Sequence, residues 1–337
     1  MRFYQHIVTT LNTCLKINKL GGTIISNHIL NTNKKVYDIL NDTHTDLLWG
    51  LRYVKLEYTW DIVTQDDLNK IRVAIIDSGV DYDHEDLKRY VAKGYNFVKG
   101  NCDISDQYGH GTCVAGIIGA EKNNNKGIAG VASGVQIVPL KVFNDNGIAE
   151  INNVIDAIEW CIDNSIDIIN LSIGYSMEQL NFFDFNIISL FKREQQIIER
   201  AIKKNIVIVA AVGNNSNRTM DFPAICEGVI PVASYGIRLD PISIFPSIEN
   251  NRTNEMTIFA PGEYIFTTCP NSTYGYFRGS SFACAFVSGA VALIRSIRPD
   301  ITPEQIHKMM LESSNKVSYE DMHFKTLDID QIIKKIR

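Results

Sequence analysis

Short apolar runs separated by amphipathic stretches organise most of this chain, and they begin only after its first 46 residues. Residues 1–46 are rich in Asn and Thr, as in Asn31-Thr32-Asn33 and Asn41-Asp42-Thr43-His44-Thr45, and their periodicity is weak. They read as an N-terminal arm or short pro-segment, with one folded domain over 47–337. Residues 71–76, 135–142, 166–173 and 206–212 are short, β-branched apolar runs of the kind that form buried strands. Between them Ile151, Val154, Ile155, Ile158 and Ile162 recur at helical spacing, 191–204 is helical in pattern, and a helix opens near His110. Strands alternating with helices predict an α/β fold, a three-layer arrangement with a mostly parallel central sheet and helices on both faces. Further on, 281–298 is small and apolar on nearly all sides, which predicts a buried helix stopped by Pro299. Thr302-Pro303-Glu304-Gln305 has the form of a capping box with proline at the first helical position.

Composition narrows the function classes. With 45% apolar and 21% charged residues and a net charge of −5, the chain is not patterned as a nucleic-acid binder. No apolar run approaches the roughly 20 residues that span a bilayer, so no membrane partner is expected. The N-terminus lacks a compact apolar stretch with a small-residue cleavage site, which points to a cytoplasmic protein, or to a secreted one if a signal has been removed. The seven cysteines are scattered without a C-x-x-C pair, so reduced thiols are expected rather than a disulfide framework or a zinc site.

Three segments carry candidate chemistry. The first strand runs into Asp77-Ser78-Gly79; an acid there faces the crevice at the carboxyl ends of parallel strands, or is simply a turn residue. His110-Gly111-Thr112-Cys113-Val114-Ala115-Gly116 sets a histidine at a helix entrance, as a base or as a structural hydrogen-bonder. Gly279-Ser280-Ser281-Phe282-Ala283 opens the buried helix, where a serine serves as N-cap or as a nucleophile favoured by backbone N–H groups and the helix dipole. Ser280 and Ser281 compete for either role on chemistry alone. A serine hydroxyl needs a base, and the imidazole needs an acid to fix its tautomer, so acid, histidine and serine belong together. The order Asp, His, Ser is one of the known triad orders.

These three segments resemble the three signatures of the subtilisin-like (subtilase) serine protease family, and the similarity covers about residues 47–315. The resemblance implies a catalytic triad of Asp77, His110 and Ser281, the Gly-x-Ser-x-Ala register choosing Ser281 over Ser280. Ala210-Ala211-Val212-Gly213-Asn214 is similar to the segment carrying the oxyanion asparagine, which implies that role for Asn214. Asn170-Leu171-Ser172-Ile173-Gly174 is similar to the strand that pairs with substrate backbone, so Ser172, Ile173 and Gly174 are expected to bind substrate. Ala260-Pro261-Gly262 matches a family loop. Asp221, in Asp221-Phe222-Pro223-Ala224, falls in the wall of the primary specificity pocket, where a carboxylate favours lysine or arginine; a solvent-facing loop position is the alternative. Asp86 and Asn124, in the loop 122–128, match residues that bind calcium in many relatives, so a structural calcium is an implied cofactor. The chain departs from the family where Cys284-Ala285 replaces Ser/Thr-Pro, and where Cys113 follows the His110 run as a thiol open to mercurials or oxidation. It also departs in an apparent insertion around 177–190 that contains Phe182, Phe183 and Phe185. That insertion is a surface excursion or a flap over substrate or pro-segment. The implied function is a serine endopeptidase acting on a peptide or protein substrate. Either it processes precursor peptide leaders with a basic-residue preference, or it is a broad-specificity intracellular subtilisin. A silent peptide-binding pseudoenzyme is the reading from another class.

Overall fold

The computed structural model of the chain describes residues 7–8, 39–176, 185–239 and 242–337. In chain order its first strands are β1 (Ile7–Val8), β2 (Arg72–Asp77), β3 (Tyr95–Asn96), β4 (Gln136–Lys141), β5 (Ile148–Ala149), β6 (Ile168–Leu171) and β7 (Val207–Ala211). There follow β8 (Ile230–Leu239), β9 (Ile242–Pro246), β10 (Ile258–Pro261), β11 (Ile265–Cys269), β12 (Thr273–Phe277), β13 (Asn315–Tyr319) and β14 (Met322–Thr326). The helices are α1 (Trp49–Tyr53), α2 (Glu57–Ile62), α3 (Gln65–Leu68), α4 (His110–Gly119), α5 (Ile151–Asp163) and α6 (Phe185–Lys203). The last three are α7 (Ser280–Ile297), α8 (Pro303–Ser313) and α9 (Ile329–Ile336).

The main sheet runs β13-β14-β10-β8-β7-β6-β2-β4-β3, with β9 on β8. Every neighbouring pair from β3 to β14 is parallel, while β13 and β9 join antiparallel. Helix α4 packs on α7 and α5 packs on α6, and these pairs cover the two faces. The expected α/β architecture is the observed one. Its physical cause is visible in β2, where Val73, Ala74, Ile75 and Ile76 expose nothing. A strand with both faces covered reads as a continuous apolar run, because no position along it meets water.

Helix α5 buries Ile151, Val154, Ile155 and Ile158 and turns its polar positions outward, as its periodicity predicts. Helix α8 opens with the expected capping box, Thr302 and Gln305 exchanging bonds, and with proline in its first turn. Helix α7 is buried almost throughout. Its 18 residues are long and apolar enough by composition to cross a membrane, yet 83% of them lie inside this domain.

The folded body starts earlier than the pattern suggests. The Asp42 carboxylate accepts from the backbone N–H groups of Asn123 and Asn124, and His44 N–H donates to Gly127 O. At the other end α9 returns to the first helices. Asp330 accepts from Tyr58 N, Thr59 N and Thr59 Oγ1, capping α2 from across the chain, and Ile329 N–H donates to Val54 O. The buried Asp328 pairs with Lys55.

Candidate active site

Parallel strands place their carboxyl ends along one edge of the sheet, and that is where the candidate residues gather. Asp77 ends β2, Ser172 follows β6, and Asn214 lies three residues beyond β7. Asp77 is fully buried, and both its oxygens lie near His110 Nδ1, at 2.8 and 2.9 Å. The same carboxylate accepts from Ser78 N–H at 2.7 Å, which fixes its plane. His110 opens α4, whose first turn presses on the Asp77-Ser78-Gly79 turn. A Cβ on Gly111 would stand 2.1 Å from Gly79 O, so no other residue permits this approach. Ser78 Oγ accepts from Gly111 N–H across the same contact.

Burial by itself disfavours a charged His110. The Asp77 carboxylate, its hydrogen bond and the more distant charge of Asp106 outweigh that, and the imidazole pKa is raised above its ordinary value. Asp106 also secures the helix start, accepting from Gly109 N, Thr112 N and Thr112 Oγ1. This buried acid was not singled out in the sequence; its signal was an acidic residue a few positions before a helix entrance.

Ser280 and Ser281 begin α7. Ser280 is fully buried, whereas Ser281 reaches the surface. Ser281 Oγ donates to Ser172 O at 2.9 Å, and Ser172 Oγ returns a bond to Ser281 O at 2.8 Å. The imidazole of His110 meets Phe282, the next residue, edge to face at 5.7 Å. Thus the acid, the histidine and the serine segment converge from three distant places in the chain. Asn170 ties the serine helix to the Ser172 segment from below. It donates to Ser172 Oγ and accepts from Ser288 Oγ and the Cys284 thiol. Cys284 occupies the position where the family pattern has Ser or Thr, and burial pushes its pKa up to about 12, so it is a neutral donor here.

Asn214 packs beside the serine. Its Oδ1 accepts from Ser280 N–H at 2.8 Å, which orients the amide and leaves Nδ2 as its donating end. The Ser172-Ile173-Gly174 segment passes over the serine and continues into Tyr175, which exchanges two backbone bonds with Phe222. Those bonds hold Asp221 close to Gly174 and Gly213. A Cβ on Gly174 would lie 2.9 Å from Asp221 Cβ, and one on Gly213 would lie 2.3 Å from Asp221 Oδ2. Asp221 is buried, and its Oδ1 accepts from Asn251 Nδ2 at 2.8 Å, so it is not a solvent-facing loop residue. On the other side of His110 a cavity of about 230 Å³ is lined by Tyr108, Cys113, Cys269, Phe277 and Phe282. Residues 177–184 of the apparent insertion, with Phe182 and Phe183, lie outside the described residues, as does the side chain of Phe185.

Asp86 and Asn124 do come together, but not as a cation site. Asp86 Oδ1 accepts from Asn124 Nδ2, and Oδ2 accepts from Ile128 N–H and Tyr274 OH. Asn124 Oδ1 is turned away to Lys126 N–H. Calcium needs six to eight oxygens with their lone pairs turned inward. Here N–H and O–H donors fill the acceptors instead, and no cluster of three acidic, histidine or cysteine side chains suited to a metal occurs among the described residues. The expected calcium ligands therefore do not fit the ion in this arrangement.

Residues 69–326 match the model of the Subtilase family. The chain is 34% identical to the thermophilic serine proteinase of Bacillus sp. (strain AK1), over 85% of this chain and 66% of that one, so it spans just under two thirds of that relative's length. It is 33% identical to the major intracellular serine protease of Bacillus subtilis (strain 168), over 79% of this chain and 78% of that one. Fervidolysin from Fervidobacterium pennivorans, a keratinolytic enzyme related to subtilisin, superimposes with a TM-score of 0.74 at 26% identity. That match covers 87% of this chain and 46% of fervidolysin. A triad-like convergence at the carboxyl edge of a parallel sheet, a matching family model and relatives of this similarity lead to one assignment: the chain belongs to the subtilase family of serine endopeptidases.

Proposed function

We propose that this chain is a processing endopeptidase that cleaves after basic residues by an acyl-enzyme mechanism. His110 takes the proton of Ser281 as Oγ attacks the peptide carbonyl. Asp77 holds the imidazole in the required tautomer and stabilises the imidazolium. Asn214 Nδ2 and the Ser281 backbone N–H receive the oxyanion. His110 then protonates the leaving amine, and water resolves the ester. The observation that carries this reading is the buried Asp77–His110 pair at 2.8 Å, set against the residue that follows Ser281.

Asp221 supports the preference for lysine or arginine. Its carboxylate packs closely on two glycines, Gly174 and Gly213, the first of them in the segment expected to pair with substrate. A charge pair there would form in a partly desolvated place. The natural substrate is a precursor peptide with a basic residue at the end of its leader. The residues ahead of Ile39 act as a pro-segment, the stretch from Asp42 on being bonded into the domain. In support, β1 pairs antiparallel with β5, and Gly147, just before β5, abuts Tyr108 at the cavity beside His110. The compartment is the cytoplasm, in keeping with the six free cysteines among the described residues. Likeness to the major intracellular serine protease of Bacillus subtilis favours a second reading, a broad-specificity intracellular protease.

The test is hydrolysis of chromogenic peptides that differ only in the residue before the cleaved bond, by wild type and Ser281→Ala. Cleavage of Arg and Lys peptides by wild type alone supports the proposal. Preference for large apolar residues supports the broad reading. Absence of labelling by a serine-reactive phosphonate, in protein freed of residues 1–38, revives the pseudoenzyme.

A further inference from the structure

We propose that Asn251 is a positioning residue that ties the charge beneath the specificity pocket to the oxyanion donor, so that a basic substrate residue is felt in turnover as well as in binding. This inference rests on the roles proposed above for Asn214 and Asp221. Asn251 lies in the loop after β9 and is 1% exposed. Its backbone N–H donates to Gly213 O at 3.1 Å. Its Oδ1 accepts from Asn215 N–H and Asn217 N–H, both at 3.0 Å. Its Nδ2 donates to Asp221 Oδ1 at 2.8 Å. One residue thus holds both sides of Asn214, Gly213 through its backbone and Asn215 through its side chain, together with the Asp221 carboxylate.

The surroundings make this link stiff. Gly213 has a φ of +98° and a Cβ there would stand 2.3 Å from Asn251 Nδ2, so this approach is possible only at glycine. Ser216 N–H donates to Glu249 O and Arg252 N–H donates to Asn217 O, which pins the two loops at further points. Asn214 in turn bonds Ser280 N–H, next to the nucleophile. A displacement of Asp221 therefore reaches the oxyanion donor through a single amide. A misplaced oxyanion donor costs turnover and not ground-state binding, because it acts on charge that develops in the transition state.

The experiment is a double-mutant cycle on an arginine peptide, with Asn251→Ala, Asn214→Ala and the pair, protein amounts being normalised by phosphonate titration. The expected result is a kcat for Asn251→Ala lowered about tenfold or more, with KM changed less than about threefold. In the Asn214→Ala background the same substitution then costs less than about twofold. A structural effect unrelated to Asn214 would leave the two losses multiplicative, and that outcome, or a change confined to KM, overturns the proposal. If Asn251→Ala does not fold, Asn251→Asp replaces it in the same cycle. It keeps the two acceptor bonds to 215 and 217 and replaces the donor to Asp221 by a carboxylate oxygen that repels it, so kcat should fall on arginine peptides and stay within about threefold of wild type on leucine peptides. Equal loss on both peptides overturns the link to Asp221. Should Asn214→Ala alone keep wild-type kcat, the oxyanion assignment itself has failed, and this inference fails with it in a recognisable way.

Discussion

Each residue at the site answers to a different measurement. The raised pKa of His110 gives a signed pH dependence. In the proposed mechanism the free base is the working form, so kcat/KM should fall as pH drops through the histidine pKa, and a raised value sets this acid limb above the ordinary histidine range. Replacing Asp77 by Asn removes the charge that raises it; the limb should move to lower pH while the plateau drops by about 10⁴, from loss of the correct tautomer. Asn214→Ala should lower kcat by about 10²–10³, the known cost of an oxyanion asparagine in subtilisins themselves and not a figure obtained from this geometry. Stopped-assay pH profiles on one peptide check both. Much at this scale was legible beforehand. Asp77, His110 and Ser281 sit in short runs whose glycines are required by close packing, and such runs are local in sequence. Asn251 and Asn170 were not legible in the same way. Most of their partners are dozens of residues away, and an asparagine in a polar loop, like Asn251, or at the end of an apolar strand, like Asn170, shows no partner until the fold supplies what it binds.

At the scale of elements, helix α6 carries an unusual load. Glu194 on this helix is fully buried and accepts from Tyr175 OH, whose ring stacks on Phe222 at 5.4 Å. Burial raises the Glu194 pKa to about 8, the Tyr175 hydrogen bond offsetting part of it. A carboxyl whose folded pKa exceeds its unfolded value holds more protons when folded, so stability falls as pH rises between about 4.5 and about 8. That loss should amount to several kcal/mol, on the scale of about 1.4 per pKa unit. Urea denaturation at pH 5 and pH 8 should show it, and Glu194→Gln should flatten the difference. The pattern of residues 191–204 made the helix legible, but not its earlier start at Phe185. A glutamate among arginine and glutamine looks solvated until the aromatic wall of Tyr175, Phe191 and Phe222 is in place.

Across the whole molecule, two features bear on stability. The acceptors of Asp86 are filled by the protein's own donors, so chelation with EDTA should leave Tm unchanged to within about 1 °C, whereas Asp86→Ala should cost about 3 kcal/mol or more by stranding buried donors. Scanning calorimetry with and without chelator checks both. The second feature is the return of α9 to α1 and α2. Deleting residues 327–337 removes the cap on α2 and the buried Ile329, Ile332 and Ile333, and should abolish cooperative unfolding. The layered fold itself was legible from alternation of strand and helix patterns, since that signal is summed over many residues. The junction of the two ends was not, because no local pattern announces a contact between residues about 270 apart.

That junction also sets a clock. A chain emerging from the ribosome presents Asp77, His110 and even Ser281 well before residues 328–330, which supply the cap on α2 and the ion pair to Lys55. Domains condense as units during synthesis. Throughout synthesis of the earlier residues the first helices lack this fastening, so the domain is expected to reach its full stability only once the opening turn of α9 has emerged.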